Sequence, residues 1–152
     1  MGAIGSRLSP EYIVVPAQVQ GKEEVLKLLV RALAAGGITS DPDLLLKDLE
    51  ARERLSSTAL GYGCAVPHAH SAAMKSTVFA AARVSPPLSY DTPDGDPVSL
   101  FFLMAGPKTD TGLHLKLLSK LARLLHDPQM REDLNRAETP EAFHRIISEK
   151  DA

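Results

Sequence analysis

Eight residues from Val98 to Ala105, apolar at every position but Ser99, demand an interior that is covered on two sides. A run of this kind reads as a strand buried on both faces of a sheet, not as the alternating strand of a one-sided sheet. Gly106-Pro107 breaks it, and an amphipathic pattern follows from about Thr111 to His126. There Leu113, Leu117, Leu118, Leu121, Leu124 and Leu125 fall on one broad helical face. A buried strand feeding an amphipathic helix is a building unit of α/β folds.

The remaining segments supply the covering layers. Tyr12 to Val15 and Thr77 to Val84 read as strands, and Cys64-Ala65-Val66 as a short apolar piece. One helix is expected from Gly21 to the stop at Gly36-Gly37, with Val25, Leu28, Leu29, Ala32 and Leu33 on its apolar side. A second opens on Asp41 as N-cap with Pro42 in its first turn and runs to about Arg54. Shorter helices are expected near Gln129 to Arg136 and from Thr139 to Ser148. Residues 56–63 and the acidic, proline-rich stretch Pro86 to Pro97, with Asp91, Asp94 and Asp96, read as loops. The expected architecture is α/β in three layers, a single domain of 152 residues whose first ten form a flexible leader.

Charge and composition remove several function classes. Seventeen Lys and Arg against nineteen Asp and Glu leave a formal net charge of −2, which gives no attraction for nucleic acid or an anionic membrane. The longest apolar run is far too short to span a bilayer, and no export signal opens the chain. The single cysteine, Cys64, has no internal partner and fits a reducing, cytoplasmic compartment.

The chemistry that remains rests on histidines. His68 follows Pro67, whose fixed φ holds the start of the segment that presents the ring. His114 lies near the middle of the leucine face of the long helix, so it points toward the sheet, in the first turn after the buried strand. Open α/β sheets place ligands at that edge. In the second helix Leu45, Leu49 and Arg52 follow i, i+4, i+7 spacing, so a guanidinium continues the apolar stripe or caps the last carbonyls. Two imidazoles and a guanidinium suit a phosphoryl group, with a nucleophilic ring nitrogen and donors for its oxygens. The alternatives are thinner. Cys64, His68 and His70 fall short of the four ligands of a closed zinc site, and the chain has no nucleophile elbow, dinucleotide fingerprint or P-loop.

The run Arg52-Glu53-Arg54-Leu55-Ser56-Ser57-Thr58-Ala59-Leu60-Gly61, followed by Cys64-Ala65-Val66-Pro67-His68, resembles the signature of the type 2 (fructose/mannitol) enzyme IIA domains of the bacterial phosphotransferase system, which include the nitrogen-regulatory IIA proteins. Pro97-Val98-Ser99-Leu100-Phe101-Phe102-Leu103 and His114-Leu115 resemble the same family in the same order, and the match runs from about Tyr12 to Ser148. The resemblance implies a three-layer α/β/α fold with a small mixed sheet. It implies that His68 is the phosphorylated residue, through Nε2, and that His114 and Arg52 orient the ring and hold the phosphoryl group. Ser57 and Thr58 match the loop before the site and are candidate supporting donors. The implied donor is an HPr-like phosphocarrier and the acceptor a IIB domain, or a regulated kinase or transporter, with no cofactor and no metal. The chain departs from the family pattern at His70, where the family usually has Arg or Lys after Pro-His-Gly or Pro-His-Ala. A pH-dependent group there leaves open a second reading, a non-catalytic regulatory module of the same fold.

Overall fold

The computed structural model describes residues 2–90 and 92–151; Asp91 of the acidic loop lies outside them. In chain order the elements are β1 (Ile13–Ala17), α1 (Lys22–Ala35), α2 (Pro42–Leu55), β2 (Ala59–Gly61), β3 (Cys64–Ala65), β4 (His68–His70), β5 (Val78–Leu88), β6 (Val98–Gly106), α3 (Thr111–Leu125), α4 (Pro128–Arg136) and α5 (Pro140–Asp151). Three of the expected helix starts are made by their capping side chains or prolines. Asp41 accepts from Leu44 N at 3.1 Å, Asp127 accepts from Gln129 N at 3.0 Å, and Thr139 accepts from Ala142 N at 3.1 Å. Among the described residues no helix is long and apolar enough to cross a membrane.

The sheet is mixed, and β6 is its centre. It pairs antiparallel with β5, and β1 lies parallel on the far side of β5. On its other edge β3 and then β4 run parallel to it, with β2 antiparallel on β3. Residues along β5 and β6 alternate between two cores, as the period of two requires. Ala80, Ala82, Phe101 and Leu103 pack with Val25, Leu29, Leu45 and Leu49 of α1 and α2. Phe79, Ala81, Phe102 and Met104 pack with Leu117, Leu121, Leu134 and Phe143 of α3, α4 and α5. Each buried Phe, Leu, Val or Met among these contributes on the order of 1.5–3 kcal/mol. The three-layer reading of the Val98–Ala105 run therefore matches the structure.

Three expectations are corrected, the shortest being that Ala59–Gly61, inside the stretch 56–63 expected as loop, forms β2 against β3. The second concerns the leader over residues 1–10, of which residues 2–10 are packed. Ile4 and Leu8 are fully buried in the core beneath α5. The buried carboxylate of Asp151 accepts from Ile4 N at 2.8 Å and Gly5 N at 2.7 Å and pairs with Lys120 Nζ at 2.7 Å. His144, on α5 with Asp151, has its Nε2 3.0 Å from Gly5 O. Two apolar residues four apart among small ones are too few to read as an element, and what fixes them sits at the other end of the chain. The third correction is at Pro86–Leu88, expected as loop but part of β5. The ladder is irregular between Arg83 and Leu88 and resumes at Leu88↔Val98, so the prolines occupy the stretch that has no ladder bonds to lose.

Burial works against the Asp151 charge, but Lys120 and the two amides outweigh it and hold the carboxyl below the usual carboxylate range. Asp151→Asn removes the ion pair and one set of lone pairs from a buried junction. Urea unfolding should show a loss of about 2 kcal/mol, and limited proteolysis should cut before residue 10 faster than in the wild type.

Candidate active site

Residues 64–70 lie along β6 at a constant offset of 36, from Cys64↔Leu100 through His68↔Met104 to His70↔Gly106. Met104 N donates to Pro67 O at 2.9 Å, so the ladder carries through the proline, which accepts but cannot donate. Because side chains alternate, Cys64 and Val66 enter the core on the α3 side and Ala65 and Ala69 enter the other. His68 and His70 share the parity of Val66 and stand on the α3 side, at the carboxyl end of the sheet. The next turn of chain after β6 starts α3, and its first turn delivers His114, 3% exposed, to the same place. The inward placement expected of His114 is observed. Its ring lies 5.5 Å from that of His68, and the ring of His70 stacks on it at 4.0 Å. Among the described residues no group of three or more His, Cys, Asp or Glu is placed to hold a metal ion.

The His68 ring is oriented by its own strand. Nδ1 lies 2.8 Å from Val66 O. A carbonyl oxygen only accepts, so Nδ1 carries the proton and Nε2 keeps a free lone pair. Desolvation lowers the His68 pKa below the ordinary 6.5, against the Val66 carbonyl, which raises it; Arg52 lowers it further. For His114, burial first and then the neighbouring His70 and His68 bring the value down to about 4. Both rings are therefore neutral at pH 7. Burial pushes the Cys64 thiol up to about 12, so it is no nucleophile.

A cavity of about 470 Å³ is lined by His68, His70, His114, Arg52, Asp48 and Lys108, and a second of about 360 Å³ adjoins it with Ser57, Thr58, Leu60 and Ser119. Arg52 and His68 border both. Arg52 Nη1 donates to Ser56 O at 3.1 Å, so the guanidinium does cap the helix end, and it reaches the His68 cavity from that anchored position. The residue that the last turn of α2 buries is Glu53, which the sequence reading did not single out. At about 100° per residue the buried face runs Leu45, Leu49, Glu53, and Arg52 sits about 60° to one side of Leu49. Glu53 Oε2 accepts from Thr58 N at 2.9 Å, Oε1 accepts from Thr58 Oγ1 at 2.5 Å, and Lys22 Nζ lies 3.8 Å away. Val66 N in turn donates to Thr58 O at 3.0 Å. A relay thus runs from Glu53 through Thr58 and Val66 to the carbonyl that sets the His68 tautomer. Thr58 spends its hydroxyl hydrogen on Glu53 and serves the site by holding this loop. Ser57 Oγ accepts from Ala59 N at 3.2 Å within the same turn.

Two outcomes follow. Thr58→Val leaves the buried Glu53 carboxylate short of a donor and should cost about 1–3 kcal/mol in urea unfolding. For His114 the unfolded chain binds a proton that the folded chain refuses in the window from 6.5 down to about 4. Stability should fall as the pH drops through that window, and His114→Gln, with nothing to titrate, should show a smaller fall in a pH series of unfolding midpoints.

With this geometry in hand, comparison with known proteins is direct. Residues 6–150 match the family described as phosphoenolpyruvate-dependent sugar phosphotransferase system, EIIA 2. The crystal structure of the nitrogen regulatory protein IIA-Ntr from Neisseria meningitidis superposes with a TM-score of 0.88 at 35% identity, covering 95% of this chain and 98% of that one. A nitrogen regulatory protein of Pseudomonas aeruginosa is 32% identical over 140 residues, 92% of this chain and 91% of its own length. The 2-O-alpha-mannosyl-D-glycerate-specific EIIABC component of Escherichia coli is 37% identical over 142 residues, but this chain spans only 22% of it. The α/β/α sandwich and the sequence over nearly its whole length place this chain in the type 2 EIIA family of the phosphotransferase system.

Proposed function

We propose that the chain is a phosphoryl carrier in which His68 Nε2 receives the phosphoryl group from the phosphohistidine of an HPr-like protein. It then yields the group to a IIB domain, or retains it as a regulatory signal to a kinase or transporter in the cytoplasm. The observation that carries this reading is the 2.8 Å contact of His68 Nδ1 with Val66 O, which fixes the proton on one nitrogen and frees the other. The transfer is in line: the P–N bond to the donor ring breaks as the P–Nε2 bond forms, and the donor ring leaves as a neutral imidazole. His114 offers the N–H of its cavity-facing nitrogen to the phosphoryl oxygens, and Arg52 offsets their charge from the end of α2. Both ends of the transfer are phosphohistidines, so the exchange is close to balanced and the protein's part is orientation and charge complementarity.

The rim supports a macromolecular donor. Leu115, 64% exposed, lines the His68 cavity, and Leu60 lines its neighbour. Large apolar side chains left in water beside a shallow, open site fit a protein partner better than a small solute.

Incubation with a phosphorylated HPr-type carrier should add one phosphate to the wild type, stable to base and labile to acid, and none to His68→Ala, as read by intact mass. Equal labelling of both would remove His68 from the role, and no labelling of the wild type would favour a docking module without transfer. His114→Ala should fold and accept the group at least about tenfold more slowly, the usual scale for losing one charge-stabilising donor.

A further inference from the structure

The two imidazoles that serve the transfer are held by different means. Val66 O fixes the ring of His68. His114 has no such support, because its Nδ1 is buried without a hydrogen-bond partner among the described residues. A buried N–H without an acceptor costs more than a bare lone pair, so the hydrogen of the neutral ring belongs on Nε2. A histidine that works at a defined angle is ordinarily oriented by a hydrogen bond to its second nitrogen. Here a ring stands in that place. His70 lies on His114 with centroids 4.0 Å apart and planes 29° from parallel, whereas His68 is 5.5 Å away and tilted by 59°.

The helical turn that carries His114 needs the same support. α3 starts at Thr111 without a capping hydrogen bond from the Asp110 side chain, and its second residue is Gly112. A glycine inside a helix adds backbone entropy that ordering must overcome. Of residues 111–116 only His114 is buried, with Leu113 half-buried, and the next buried side chain of the helix is Leu117. His70 stands on firmer backbone. It pairs with Gly106 in the β4–β6 ladder, and Ser71 N donates to Gly106 O at 2.9 Å. In the stack the strand is therefore the fixed side, and the helix turn is the side that is held.

We infer that His70 is a positioning residue, whose flat face holds the His114 ring and the first turn of α3 so that the Nε2 hydrogen of His114 points at the phosphoryl group on His68. The inference rests on His68 being the acceptor. What the position demands is then a flat side chain, not a charge. Stacked aromatic rings attract one another beyond the area they bury. Lysine is a point charge on a flexible stem and offers no face. Misplacing a reacting or stabilising group by about 1 Å can cost up to about a hundredfold in rate. The loss through His70 is bounded by the loss of His114 itself, because it acts only through that ring.

The test is single-turnover transfer from a phosphorylated HPr-type carrier to the full chain, followed by intact mass at several carrier concentrations. His70→Ala should lower the limiting rate about fivefold and leave the half-saturating carrier concentration nearly unchanged, since orientation acts on the transition state and not on docking. His70→Phe, flat and uncharged, should recover most of that loss, and His70→Lys should not. Recovery by the lysine in place of the phenylalanine would overturn the inference. In a His114→Ala background His70→Ala should have no further effect, and an undiminished loss there would overturn it too. ¹⁵N spectra of the unphosphorylated chain read the ring itself. The two nitrogens of His114 should keep the widely separated shifts of one tautomer in the wild type and His70→Phe, and draw together in His70→Ala; unchanged shifts in His70→Ala would count against the stack. No label on the wild type would sink the carrier function and this role with it, whereas label with His70→Ala as fast as the wild type would sink the positioning role alone.

Discussion

The parallel ladder between residues 64–70 and β6 is what the site depends on. Its constant offset from Cys64↔Leu100 to His70↔Gly106 passes through Pro67 without a bulge. That continuity fixes the parity of every side chain in the segment. A slip by one residue would turn His68 and His70 toward α1 and α2 and bring Ala65 and Ala69 to the α3 side in their place. The ladder also fixes the backbone carbonyl of Val66, and with it the tautomer of His68. A ring nitrogen with a defined lone pair is thus a product of strand register.

The ends of two helices then close the site with opposite kinds of group. α3 brings a neutral ring that burial keeps from charging, while α2 brings a permanent cation held by its own C-cap carbonyl. Glu53, one residue on from Arg52, turns the other way and locks the loop that leads to His68. Adjacent residues in one helical turn therefore divide the work: one faces the His68 cavity and one holds the backbone behind it. The buried ion pair with the exposed Lys22 keeps the Glu53 charge compensated on the side away from the site.

The same structure shows where family likeness stops being informative. The EIIA type 2 match covers residues 6–150 and fixes the fold and the chemical class. It does not fix what residue 70 does, because the property that matters is the stacking of its ring on His114. A lysine or arginine at that place would bring its charge at every pH.

Much of this was legible in the letters. The Val98–Ala105 run called for two covered faces, Asp41-Pro42 and Thr139-Pro140 marked helix starts, and the leucine spacing after Thr111 turned His114 inward; all are local signals, carried by residues a few positions apart. The packed N-terminal turn was not legible, because Ile4, Gly5 and Leu8 owe their places to Asp151 and His144 at the far end of the chain. Nor was the choice between Arg52 and Glu53 as the buried member of their turn, since both lie near the apolar stripe and only the loop at Thr58 decides between them. The sequence by itself determined which residue types are present and which way each element faces, because periodicity and capping act within a few residues. Tertiary structure alone decided that His68, His70 and His114 meet, because strand register and helix docking join positions that no local rule connects.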